Sequence, residues 1–439
     1  MPAGYSKKAP AFCEAHSPRA TPLRAPPTAE AAAESAAAAG CFSSNEEAAA
    51  ACSLHSIPAG VLNCGYYARF FAEERKLGAG SFGAVYLCRH VMDGIDLGIF
   101  AVKKLALGDD TKRLRQVVRE VKALERLRHM NIVDYKHSWL EVSRHSEFCP
   151  YVPFLFILME YCNAGSMESL IWPAGFVRGA TGNAEKAAFL SEDLIWRLFL
   201  DVCCGLAHLH SRGILHRDLK PSNILLHIDE VVGEHASREA APRAMLSDFG
   251  TCEIHGEGRS SDGGGYAVEF AAPERLRGEE SEEPADVWSA GLVLYALCAG
   301  DLPYHSEDPE ACREQVLGHT VLSSLPSFRD PCLCGLISSL TAKEPVARPT
   351  AEEAERACAA AVSRLPEGAA ASRGPGPLPD SAPGPAARRS AGRAPLELMD
   401  EALLQLQDGN VASPKEGLSS AFPSMTSVAS AAGLEEANG

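Results

Sequence analysis

Six residues, Gly78-Ala79-Gly80-Ser81-Phe82-Gly83, narrow the possible folds more than any other stretch, because of the strand pattern that comes directly after them. A Gly-x-Gly-x-x-Gly that opens a helix is the phosphate turn of a dinucleotide-binding fold. Here the continuation is AVYLCRHV, which alternates with the period of a strand. The glycines therefore belong to a strand-turn-strand hairpin. In such a turn the missing Cβ atoms let backbone N–H groups approach phosphate oxygens closely.

Around that hairpin the pattern divides in two. From Phe70 to Met159 the sequence reads as strands with one helix: KLGAGSFGAVYLCRHV and GIFAVKKLAL alternate, whereas KRLRQVVREVKALERLRH repeats Leu114, Val117, Val118, Val121, Leu124 and Leu127 on one helical face. After Cys162 helices dominate. LIWRLFLDVCCGLAHLHSRG and the run around Trp288 are apolar on most faces, which predicts the centre of a helical lobe. The expected fold class is α+β, with a small antiparallel β lobe carrying one helix over 63–161 and a larger, mainly helical lobe over 162–365. No solenoid repeat is evident.

Both ends read differently. Residues 1–62 are Ala/Pro-rich and include AEAAAESAAAA, and residues 366–439 include GPGPLPDSAPGP and SSAFPSMTSVASAAG. Neither composition builds a core, so both are predicted to be disordered tails. Within the second, PLELMDEALLQLQDG (395–409) puts Leu396, Met399, Leu403 and Leu406 on one helical face. That predicts a short helix, either docking on a partner or on the chain's own domain, or standing alone.

Composition excludes several classes. With 439 residues and 46% apolar content the chain supports a sizeable core, and a net charge of −16 argues against nucleic acid as a partner. The most apolar run, VWSAGLVLYALCAG, has 14 residues, too few for a bilayer core of about 30 Å, so no membrane partner is expected. Lys7, Lys8, Arg19 and Arg24 faintly resemble a transit peptide, but Glu14 and the prolines favour a disordered tail. Fifteen cysteines are scattered through apolar segments with no secretory signal ahead of them, which predicts free thiols in a reducing compartment, the cytoplasm or the nucleus. Neither Cys203-Cys204 nor Cys332 with Cys334 has zinc-site spacing, so buried structural thiols are expected.

Charged residues then fall at telling intervals. Lys103 in Phe100-Ala101-Val102-Lys103 lies twenty residues after Gly83, on the neighbouring strand and within reach of the same phosphates. Glu120 lies seventeen residues further, mid-helix, where it can pair with Lys103. Taken singly, one is a surface lysine and the other a solvated helix charge; the joint spacing favours a nucleotide site.

The strongest signal is His216-Arg217-Asp218-Leu219-Lys220-Pro221-Ser222-Asn223, succeeded in order by Ser247-Asp248-Phe249-Gly250, Ala272-Pro273-Glu274, Asp286-Val-Trp-Ser-Ala-Gly291 and Arg348-Pro349-Thr350. This series resembles the eukaryotic protein kinases, from about Phe70 to Ala361, and implies their two-lobed fold. Lys220-Pro221-Ser222-Asn223 resembles the serine/threonine type of catalytic loop. HMNIVDYKHSWLE with FLFILMEYC resembles the Iks-type kinases and those acting on the translation initiation factor 2 α-subunit, with VEFAAPE nearer the Iks type.

The resemblance implies ATP and Mg²⁺ as cofactors and a protein substrate. It implies that Asp218 accepts the proton of the substrate hydroxyl, that Lys220 steadies the γ-phosphate, and that Asn223 and Asp248 hold the metal ions. ATP would lie against Leu77, Gly78, Ala79, Gly80, Ser81, Phe82, Gly83, Val85 and Ala101, with Lys103 on the α/β-phosphates and Glu120 orienting it. Met159 would be the gatekeeper, and the backbone of Glu160 and Cys162 would face the base. Glu274 with Arg348 resembles a structural ion pair, and Asp286 a support for the catalytic loop. Arg217 admits control by a phosphate on Thr251, Ser260 or Ser261.

Two departures stand out. Counting back from Ala272-Pro273-Glu274, Ala267 occupies the position of the family's threonine that bridges base and lysine, and Tyr266 that of its glycine. VVGEHASREAAPRA and GFVRGATGNAEKAAFL lengthen two loops, as surface insertions do. The expected function is ATP-dependent phosphorylation of Ser/Thr hydroxyls. The alternatives are a pseudokinase-type scaffold and, less favoured, a small-molecule phosphotransferase.

Overall fold

A computed structural model of the chain describes residues 44–51, 59–80, 83–107, 121, 127–144, 149–173, 190–229, 241–248, 253–254, 267–280, 282–304, 306, 308–318 and 329–365. The expected tail helix, residues 175–189 and 231–240 of the two long insertions, Thr251, Ser260, Ser261 and Tyr266 lie outside them, whereas Arg243 and Ala244, read as the end of the second insertion, belong to a strand.

The alternating segments form the strands expected of them. β1 (Phe71–Gly80), β2 (Gly83–Met92), β3 (Ile95–Ala106), β4 (Tyr135–Ser143) and β5 (Val152–Glu160) make one antiparallel sheet in the order β1-β2-β3-β5-β4. β1 and β2 pair up to Gly80 opposite Gly83, so the glycine-rich stretch is the hairpin inferred from its alternation. One face of the sheet carries an aromatic layer: Phe71, Trp139 and Phe156 stack nearly parallel, with centroids 5.4 Å apart in both Phe71–Trp139 and Trp139–Phe156. The other face buries Leu105, Leu107, Leu140, Leu155 and Ile157. Of the helix expected before β4, Val121 and Leu127 are described, and both are buried.

The tail drawn over residues 1–62 reaches too far. Helix α1 (Asn45–Ala51) buries Ala48, Leu62 is buried against β4, and α2 (Tyr66–Phe70) leads directly into β1. Burial of small alanines leaves no periodic apolar signal, which is why this segment reads as tail.

The second lobe is helical, as its composition requires. α3 (Met167–Ile171) comes after the inter-lobe connection, and α4 (Glu192–Ser211) runs through the centre, its first turn capped by the Ser191 hydroxyl accepting from Leu194 N. After it come strands β6 (Ile214–Leu215), β7 (Ile224–His227), β8 (Arg243–Leu246) and β9 (Glu253–Ile254), and helices α5 (Pro273–Leu276), α6 (Glu283–Ala299), α7 (Pro309–Gly318), α8 (Pro331–Leu340) and α9 (Ala351–Val362). α6 is the apolar run around Trp288, buried on nearly all sides with Trp288 and Tyr295 at its core, and it ends at Gly300 in the left-handed conformation (φ 70°). Burying each such side chain is worth about 1.5–3 kcal/mol.

One stitch sets the lobes against each other, and a second anchors the start of the helical lobe. Leu246 N donates to Asn131 O at 2.8 Å and Val133 N to Leu246 O at 2.9 Å, tying the approach to β4 onto β8. Ala164 N donates to Leu226 O at 2.9 Å and Leu226 N to Gly165 O at 2.8 Å, tying the connection after β5 onto β7. The ends of β7 and β8 are thereby held beneath the β lobe.

Candidate active site

Lys103 stands on β3, in register with Val85 of β2 and Ile157 of β5. Its Nζ donates to Asp248 Oδ1 at 2.6 Å, reaching across from the β lobe to a residue just past the end of β8. Asp248 is left-handed (φ 58°), an uncommon conformation for a residue with a Cβ, held where a strand end is fixed by pairing. Ser247 fixes that end: its N and its Oγ each lie 2.9 Å from Asn223 O.

Asp218 is the centre of a second group. Lys220 Nζ donates to Asp218 Oδ2 at 2.7 Å, and Asn223 Nδ2 donates both to Asp218 O at 2.8 Å and to Asp218 Oδ2 at 3.0 Å. Asn223 is buried in the short 3-10 turn Pro221–Asn223, where Pro221 presets the backbone. With its amide nitrogen committed to Asp218, Asn223 keeps its side-chain carbonyl oxygen as the group that can accept a cation.

The loop holding these groups is supported from below. Asp286 of α6, fully buried, accepts His216 N and Arg217 N at 2.8 Å each and His210 Nε2 at 3.1 Å. Burial pushes its carboxyl up, but His210, His216 and the backbone bond outweigh burial and hold it below the ordinary carboxylate value. The His216 ring bridges Ser247 O at 3.1 Å through Nε2 and receives Asp218 N at 3.4 Å on Nδ1. His216 thus joins the two groups, a role that spacing alone does not disclose. Glu274 and Arg348 form the two-pronged buried pair expected of them, at 2.6 and 2.8 Å, with the Trp288 ring 5.1 Å from the guanidinium carbon.

The residues expected to face the base lie where β3 and β5 meet the connection between the lobes. Ala101 is buried, opposite Leu87 and Met159. Glu160 N donates to Asp134 O at 2.9 Å. The Cys162 thiol turns inward onto Met245 Sδ at 3.8 Å, and burial pushes it up to about 12, so it is an inert floor group rather than a nucleophile. Leu77, Gly78, Ala79 and Gly80 run along the end of β1. Gly83 is required on two counts: φ is 144°, and a Cβ there would stand 2.1 Å from Lys104 O. Ser81, Phe82 and Glu120 are outside the described residues, and the expected Lys103–Glu120 pair falls there with them. Ala267, in place of the expected threonine, packs its methyl against the core of the helical lobe.

Residues 71–357 match the protein kinase domain model, and the chain belongs to that family. Over 268 residues it is 44% identical to a Dictyostelium discoideum protein named "Probable serine/threonine-protein kinase iksA", an alignment covering 56% of this chain and 26% of the relative. It is 32% identical over 249 residues to the serine/threonine-protein kinase shk2 of Schizosaccharomyces pombe, covering 55% of this chain and 35% of the relative. With the serine/threonine-protein kinase Nek1 of Mus musculus the identity is 31% over 232 residues, covering 52% and 16%. The chain therefore matches only a minor part of the length of each of these relatives.

Proposed function

We propose that this chain transfers the γ-phosphoryl group of ATP to Ser or Thr hydroxyls of protein substrates. The observation that carries the reading is the linked set Lys103–Asp248 and Lys220–Asp218–Asn223: all five side chains are chemically competent and held by direct hydrogen bonds where the two lobes meet. Phosphoryl transfer needs positioning and charge neutralisation rather than covalent chemistry, and this set supplies both. Asp218 takes the proton of the attacking hydroxyl. Lys220, already on that carboxylate, lends its charge to the phosphoryl group in flight. Lys103 holds the α/β-phosphates, with Glu120 orienting it.

Asp248 and Asn223 fit Mg²⁺. Among the described residues no group of three or more His, Cys, Asp or Glu gathers to hold a metal, and two protein oxygens suit an ion that keeps its waters and shares phosphate oxygens. Mg²⁺ would neutralise the triphosphate there.

Lys220-Pro221-Ser222-Asn223 and the serine/threonine kinase names of the relatives support Ser/Thr acceptors. The described cysteines are all free, which supports a cytoplasmic or nuclear site of action. No nucleic-acid or membrane partner is proposed. A library of peptides carrying Ser, Thr or Tyr as sole acceptor tests the acceptor class: label is expected on Ser and Thr, and label confined to Tyr overturns it.

A further inference from the structure

The exposed large apolar side chains are unevenly spread: of seven among the described residues, Met92, Ile95, Leu97 and Ile99 lie on the β2–β3 hairpin. Register and ion pairing sort these four by face. Asp96 turns to Arg89, so Ile95 and Leu97 on either side of it project the opposite way. That is the side of His90, the neighbour of Arg89, whose ring stacks on Phe71 at 4.7 Å and meets Phe100 edge-on at 6.1 Å. Met92, two residues past His90 and opposite Ile95, lies there too. Ile99, opposite Arg89, belongs to the other face.

Met92, Ile95 and Leu97, 43%, 64% and 45% exposed, thus prolong the aromatic layer into an uncovered apolar ledge beside Phe70 and Phe100. Strand geometry makes the row from Ile95 to Phe100 about 16 Å long. Contiguous apolar surface of this kind marks a place where another segment sits, which singly scattered residues do not. One rim of the ledge is basic: Arg69, exposed, lies over the Phe70 ring at 5.2 Å and pairs with no carboxylate among the described residues. Asp96 is already neutralised by Arg89, which leaves Asp93 at the hairpin turn as the nearby acid.

The chain itself carries a complement to this ledge. Leu396, Met399, Leu403 and Leu406 fall on one helical face over about 15 Å, and the same stretch, 395–409, holds Glu397, Asp400, Glu401 and Asp408 but no Lys or Arg. Thirty-one residues lead from Leu365, the last described, to Leu396. Extended, they span about 100 Å, against a radius of gyration of about 20 Å for a domain of about 320 residues, so the tether reaches any face. We infer that residues 395–409 dock within their own chain on the hairpin ledge, their apolar row on Met92, Ile95 and Leu97 and their acids toward Arg69. The inference does not depend on the kinase reading.

The full chain tests it. With the photoreactive residue benzoylphenylalanine in place of Leu97, illumination of mixed isotopically light and heavy chains is expected to join that position to 395–409 of the same chain. Leu403→Asp, which leaves the ledge intact, is expected to abolish this crosslink. Hydrogen exchange in 395–409 is then compared between wild type, Leu97→Asp on the ledge, Arg69→Glu on its rim, and a control, Val346→Asp, at a lone exposed apolar residue of the helical lobe. For a tethered segment at millimolar effective concentration, Leu97→Asp should speed exchange about tenfold, Arg69→Glu about threefold, and the control not at all. A crosslink between light and heavy chains means that a second copy fills the ledge and overturns the proposal. Crosslinks confined to other segments, or equal exchange in all four proteins, overturn it as well. Phosphate transfer enters none of these readouts, so the docking and the kinase reading stand or fall separately.

Discussion

Asp286 Oδ1 accepts the backbone N–H of Arg217 at 2.8 Å, a bond linking the core helix α6 to a residue held in the left-handed region (φ 63°) one position before Asp218. The other carboxylate oxygen takes His216 N and His210. Asp286→Asn keeps the shape but turns an NH₂ group toward one of these donors. The expected cost is about 1.5–3 kcal/mol in stability, the worth of a hydrogen bond to a charged group, with kcat falling by up to about 100-fold as the loop loosens. Because the folded carboxyl is depressed, its contribution is complete above the unfolded value of about 3.9 and lost as pH falls through the lower folded value. Melting temperatures of variant and wild type should therefore differ at pH 7 and converge in acid.

Ala267 offers a gain. The family's threonine at this position would add one hydroxyl between Asp218 and Lys220, a hydrogen bond worth about 0.5–1.5 kcal/mol. Ala267→Thr should raise kcat/KM about 2- to 10-fold by the conversion of that energy. An unchanged or lower value would mean that the methyl's packing against the helical lobe matters more than the missing bridge.

Glu141 carries a pH signature unrelated to catalysis. Burial pushes its carboxyl up to about 7, although Trp139 Nε1, Tyr67 N and Gly65 N all donate to it and pull the other way. A raised folded value means stability fully present below about 4.5 and lost as pH rises through about 7. Glu141→Gln should flatten the stability profile across that window, removing at most one proton's slope, about 1.4 kcal/mol per pH unit. Urea midpoints at pH 5 and pH 8 check this; an unaltered difference between them contradicts it.

The parts that were legible in the sequence are the local ones. Asp218, Lys220 and Asn223 are neighbours on one turn, so their spacing already places them together, and the strand period after Gly83 reveals the hairpin. Asp286 lies seventy residues from His216, and nothing in periodicity joins them; only the resemblance did. The packing of residues 44–51 and 59–65 onto the β lobe was invisible for a different reason. NEEAAAA has alanine on its buried and its exposed sides alike, so no stripe marks Ala48, and the Glu141 bonds to Gly65 and Tyr67 use backbone N–H groups, which nearly every residue has.

The central claim is that Asp218 serves phosphoryl transfer from ATP. The full chain is incubated with γ-labelled ATP and Mg²⁺ on a generic basic protein, beside Asp218→Asn, which keeps the shape but removes the proton acceptor. The account predicts label transfer by the wild type and a loss of about 100- to 10,000-fold in the variant, the range for removal of a general base. Labelling that survives Asp218→Asn would contradict it, and so would nucleotide binding without transfer under Mg²⁺ and Mn²⁺ alike, the behaviour of a scaffold.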